Sequence, residues 1–155
     1  MSGARAGRTG PAWRQAGLTL IELTVAMGVL AVVLAIAVNQ WHDYTEWQRL
    51  RFGTVQVATD LREAQERARA ERRQYTVTFS NGSAAYAIVG PGYSENAEMP
   101  AGVTSTATQT VYFSAFGKPV TSGGAPTSYT IGVRNPKGTG TISITQAGGI
   151  TYTEP

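Results

Sequence analysis

Residues 18–38 read LTLIELTVAMGVLAVVLAIAV, 21 residues broken by a single charge, Glu22. As a helix rising about 1.5 Å per residue, this run reaches roughly 30 Å, the thickness of a hydrocarbon core. It is longer than the ~7–15 apolar residues of a secretory signal peptide. No small-x-small cleavage site follows it either. Trp41 and Tyr44 come soon after, two residue types suited to a membrane–water interface. Ahead of the run lie Arg5, Arg8 and Arg14, with no acid among residues 1–17. Positive charge there holds a segment on the cytoplasmic side and sends the downstream chain across the membrane. The expected topology is thus a single membrane pass, with residues 1–17 on the cytoplasmic side and the rest of the chain on the extracytoplasmic side.

The formal net charge of +3 rests on those three arginines, without which ten basic residues face ten acidic ones. Binding of nucleic acid by bulk charge is not expected of such a chain. At 155 residues there is length for one domain. The absence of cysteine excludes disulfides and thiolate metal sites.

Glu22 is the anomaly. A carboxylate in an apolar helix costs a few kcal/mol unless it is paired or reaches the interface. Snorkelling to water is one solution. A cationic partner is the other, and a cut after Gly17 would create one, the free amine of Leu18. The basic leader, Gly17 and then Leu18-Thr19-Leu20-Ile21-Glu22-Leu23 resemble the prepilin processing motif of type IV pilins and type II secretion pseudopilins. That resemblance implies a leader, residues 1–17, removed by a membrane prepilin peptidase that cuts between Gly17 and Leu18. It further implies N-methylation of Leu18 and an assembly role for Glu22 against the terminal amine of a neighbouring subunit. Implied partners are other pilin or pseudopilin subunits, an inner-membrane assembly platform and membrane lipid. Many major pilins have a proline where this chain has Asn39, and no proline occurs between Leu18 and Tyr75. Gly28 and Gly53 remain as the weak points of the helix.

The segment 39–74 continues as an amphipathic helix. Leu50, Val57, Leu61, Ala64 and Ala68 recur at spacings of three, four and seven, widened by Val55 and Ala58. Gln56, Glu63 and Arg67 mark the other side, and Glu63–Arg67 and Arg62–Glu66 are spaced for i,i+4 pairs. Arg67, Arg69, Arg72 and Arg73 cluster at the helix end. They are a solvated face near a helix C-terminus, or else a DNA contact. The first reading is favoured, because no aromatic residue is interleaved for stacking.

Residues 75–155 are strand-rich. Strands are expected at 75–80, 85–89, 110–114, 128–134, 141–146 and 150–153, with Asn81-Gly82 as a hairpin signal. Residues 90–102 read as a loop. The fold class is α+β, a long N-terminal helix packed on a small antiparallel sheet domain. Asp60-Leu61-Arg62-Glu63-Ala64, Thr76-Val77-Thr78-Phe79, Val111-Tyr112-Phe113 with Phe116-Gly117, and Gly149-Ile150 resemble the GspH/FimT group of minor pilins and pseudopilins. Some FimT-type pilins bind DNA through a C-terminal Gly-Arg-x-Arg motif, which is absent here.

No catalytic residue, cofactor or metal site is expected. His42 is the only histidine, and beside Asp43 without a nucleophile it reads as an interfacial polar residue. Glu95 and Glu98 are too few for a calcium cage. The leading reading is a non-enzymatic filament subunit, a minor pilin of pilus biogenesis or DNA uptake. The alternatives are a pseudopilin of protein export, a filament-tip DNA-binding module and a single-pass anchored enzyme.

Overall fold

The computed structural model describes residues 19–153. The leader, Gly17 and Leu18 lie outside the described residues. The chain divides into two compact units, Met1–Val38 and Asn39–Pro155. Helix α1, Leu20–Glu71, supplies the described helical part of the first and enters the second.

In the first unit Thr19 caps the helix. Its Oγ1 accepts the Glu22 N–H at 3.2 Å, and its carbonyl accepts the Leu23 N–H at 3.1 Å. Thr19 and Glu22 are thus spaced as a capping box, with the acid in the first turn where the helix dipole favours negative charge. Apolar side chains from Leu20 to Ile36 are exposed all round. The helix is long and apolar enough to cross a membrane.

In the second unit α1 meets nine strands: β1 Tyr75–Phe79, β2 Ala85–Gly90, β3 Tyr93–Glu98, β4 Thr104–Ser105, β5 Gln109–Phe113, β6 Pro119–Val120, β7 Tyr129–Asn135, β8 Gly138–Ile144 and β9 Ile150–Thr153. They form two antiparallel sheets, ordered β3-β2-β1-β5-β6 and β4-β7-β8-β9. The first is centred on Val77, which faces Ile88 on one side and Val111 on the other. Alternation along β1 turns Tyr75, Val77 and Phe79 inward. Ile131 and Val133 of β7 and Ile142 and Ile144 of β8 do the same in the second sheet.

All these side chains share one core with the helical stripe, and Leu50, Val57, Ala58, Leu61, Ala64 and Ala68 are completely buried in it. The helix approaches the sheets closely at two glycines. A Cβ on Gly53 would lie 3.0 Å from Val103, and one on Gly140 would lie 2.1 Å from the Thr54 hydroxyl. Gly53 is therefore a packing requirement rather than a weak point in the helix.

Several expectations change. The helix ends at Glu71, not residue 74. Arg72 takes a left-handed φ of 53°, and the Arg73 N–H reaches back to the Ala68 carbonyl at 3.2 Å, a Schellman-type end. The expected loop 90–102 contains β3, which pairs with β2 across a Pro91-Gly92 turn. Its sequence, YSENAE, is mostly exposed and lacks the apolar alternation that marks a half-buried strand. The short strands β4 and β6 were likewise missing from the expected six. Arg62 does not pair with Glu66, because its guanidinium donates to the Ile150 carbonyl while Glu66 takes Arg69.

Candidate functional site

Glu22 lies one turn into an apolar helix, with every described neighbour around it exposed. Thr24 completes the local hydrogen bonding by donating to the Ile21 carbonyl at 2.9 Å. The capping box was legible in Thr19-x-x-Glu22 and was not read from the sequence. The Thr19 hydroxyl gives the Glu22 backbone N–H a local partner.

The four arginines at the helix end do not form one patch. Arg67 binds Glu63 at 2.6 Å and lies over the Tyr93 ring, 4.1 Å from its centroid. This holds β3 against the helix. Arg69 pairs with Glu66 at 2.8 Å and donates to the Phe116 carbonyl at 3.3 Å. Arg72 and Arg73 form no ion pair among the described residues. They line a cleft with Ser114, Val120 and the Ser122-Gly123-Gly124 turn, and Arg72 and Arg69 flank Phe116. Phe116 is 77% exposed. The sequence showed no aromatic interleaved with the arginines because Phe116 reaches them only through the β5–β6 turn.

Gln65 is a positioning residue that sequence reading missed. It is buried, and its amide donates to the carbonyls of Gly117 at 2.7 Å and Gly148 at 2.8 Å. One side chain thus anchors the β5–β6 and β8–β9 turns to the helix. Both turns depend on a glycine with positive φ, 69° at Gly117 and 93° at Gly148. No periodicity reveals such a residue, since a glutamine within an amphipathic stripe reads as polar face.

On the other flank of the helix, Asp60 accepts a hydrogen bond from the Tyr86 hydroxyl. Burial holds the Asp60 carboxyl above its ordinary range, and the charges of Glu63 and Glu95 add to that, against the Tyr86 bond. Burial and Asp60 together push the Tyr86 phenol up. His42 is exposed, and its neighbour Asp43 forms an ion pair with Lys137. Among the described residues, no group of three His, Cys, Asp or Glu could hold a metal ion.

Residues 14–38 match the prokaryotic N-terminal methylation motif. The fold matches the crystal structure of the type IV minor pilin FimU of Pseudomonas aeruginosa in space group P21, at 21% identity with a TM-score of 0.56. That match covers 71% of this chain and 92% of that one. A P65 crystal form of the same pilin matches at 19% identity with a TM-score of 0.50, over 65% of this chain and 90% of that one. At this identity the likeness is one of fold. No curated protein sequence matches significantly.

Proposed function

We propose that this type IV pilin-like chain, with an N-terminal methylation motif on a minor-pilin fold, is a non-enzymatic subunit of a type IV pilus-like filament. A prepilin peptidase cuts between Gly17 and Leu18 and the new terminus is methylated. The apolar helix holds the precursor in the inner membrane, with the strand-rich unit on the extracytoplasmic side. An assembly platform then moves it into the filament, where the Glu22 carboxylate meets the Leu18 amine of a neighbouring subunit. The observation that carries this reading is the one acid within the exposed apolar part of α1, placed inside the matched motif. Burying that carboxylate without a cation would cost several kcal/mol, so assembly requires a partner for it.

The Thr19-x-x-Glu22 spacing offers the Glu22 side chain a second, purely local role as the returning half of a capping box, and one substitution separates the two. Glu22→Gln keeps a residue able to complete the box but removes the charge. Filament entry, measured as the fraction of the chain in sheared filaments, is expected to fail for Glu22→Gln and Glu22→Ala alike. Wild-type entry by Glu22→Gln would reduce the acid to a helix cap. Edman or mass analysis of the mature N-terminus tests the cut and the methyl group at Leu18.

A second reading, contact with DNA at Arg67, Arg69, Arg72 and Arg73, is supported at Arg72 and Arg73 by their lack of ion-pair partners among the described residues. Arg67 and Arg69 are engaged within the fold. Loss of natural transformation with intact exoprotein secretion on deleting the chain supports a pilus of DNA uptake. The opposite result supports a secretion pseudopilus.

A further inference from the structure

The order β3-β2-β1-β5-β6 puts β3 and β6 at opposite edges of one sheet. The two edges differ in charge. On the β3 side, Glu95 and Glu98 are exposed on opposite faces of the edge strand, and Glu95, which accepts from the Tyr93 hydroxyl, adds its charge to that of Glu63 at Asp60 of α1. Arg67, paired to Glu63, is the cation placed among them. On the β6 side, Arg72 and Arg73 line the cleft that Val120 of β6 helps to form, and exposed Lys118 precedes the strand. Phe116 stands out from the adjoining turn.

Local structure does not account for the β6 side. Cations near a helix C-terminus are favourable, but that effect asks only for positive charge. Arg72 occupies a left-handed position where glycine or asparagine is the relaxed choice. Phe116 stays exposed at the tip of its turn. An exposed aromatic flanked by arginines is, however, the composition of an interface anchor. Nucleic acid fits less well, because Arg72, Arg73 and Lys118 neutralise only about three phosphates and give weak binding.

We infer that the β6 side of one copy, with Phe116, Arg72 and Arg73, seats on the acidic β3 side of a second copy, against Glu95 and Glu98. The two surfaces are different, so the contact is head-to-tail. A heterologous contact that does not close into a ring propagates as an open helical filament. The inference rests on the proposed filament role, to which it adds the partner and the surfaces.

The chain has no cysteine, so introduced thiols report cleanly. Two differently tagged full-length copies are co-expressed in the native host, one with Arg73→Cys and one with Glu98→Cys, and treated with a short bismaleimide in membranes and in sheared filaments. A mixed-tag crosslink is expected, at least about tenfold above either same-site pair. Arg72→Glu with Arg73→Glu, on a copy linked instead through Lys118→Cys, should abolish the crosslink. Adding Glu95→Arg to the Glu98→Cys copy should restore much of it. If the reversed chain fails to accumulate, Arg72→Gln with Arg73→Gln reads the same loss. Absence of the mixed crosslink overturns the inference, as do dominant same-site links, crosslinks to a different subunit alone, or indifference to charge. A chain that enters filaments yet gives no link overturns this contact alone. A chain that links in membranes but never enters filaments overturns the filament role instead.

Discussion

Helix α1 contains two regions that differ in where their partners come from. Upstream, from Leu20 to Ala37, every residue is exposed and almost every one is apolar. Downstream, Leu50, Leu61 and Ala68 are completely buried, whereas Phe52, two positions from Leu50, is 65% exposed. An apolar surface on all sides calls for lipid or other helices around it. An apolar stripe calls for a surface on one side, and the two sheets of the same chain provide it. The difference teaches that periodicity, more than apolarity, tells whether a helix finds its partner in its own chain.

Paired truncations test this contrast. Leu61→Ala should lower the stability of the strand-rich unit by about 2–5 kcal/mol, since it opens a cavity between helix and sheets. Leu30→Ala should leave that unit within about 0.5 kcal/mol of wild type. Denaturant unfolding of the full-length chain in detergent, followed by tryptophan fluorescence, measures both. Equal effects would erase the distinction between the regions.

Gln65→Leu should come next, at about 2–4 kcal/mol, because it leaves the Gly117 and Gly148 carbonyls without their buried donor. Amide exchange should accelerate first in the β5–β6 and β8–β9 turns. Uniform acceleration across the unit would mean that Gln65 supports the core in general rather than those turns.

The smallest effect is one of pH. Because burial raises the Asp60 pKa on folding, the folded state binds more protons there than the unfolded one. The resulting stability is fully present below about pH 4, the ordinary aspartate value, and is lost as pH rises through the folded value. Asp60→Asn should flatten the fall in thermal midpoint over that window. No comparable change is expected for an upstream apolar substitution, since Glu22 is the one titratable side chain among the described residues from Leu20 to Ala37.

Leu50, Val57, Ala58, Leu61, Ala64 and Ala68 were legible as the buried stripe because a spacing of three and four depends only on local geometry, whereas Val55 is only half-buried and the buried Thr54 and Gln65 carried no apolar signal. The inward residues of β1 and β2 were legible for the same reason, as alternation at a spacing of two, whereas β7 and β8 were legible only as strands, and β8 begins at Gly138 rather than residue 141. β3 was not, since an exposed edge strand carries no such alternation and is held by pairing with β2. β4 and β6, at two residues each, are too short to show any period. At the candidate sites, Gly17 and Leu18 lie outside the described residues, and of the processing motif the structure describes Glu22. The arginine cluster misled in part, since proximity in sequence said nothing of which members are engaged.

The sequence by itself determined the apolar segment, its single acid, the buried face of the helix and the strand-rich character of the C-terminal half. Each of these lies within a few neighbouring residues and derives from helix or strand geometry. The tertiary structure alone decided that the strands divide into two sheets. It also decided that Gln65 ties two distant turns to the helix, that Arg67 is held over Tyr93, and that Arg72 and Arg73 stand with Phe116 on the side opposite Glu95 and Glu98. Those facts join residues far apart in the chain, and only the packing of helix on sheet brings them together.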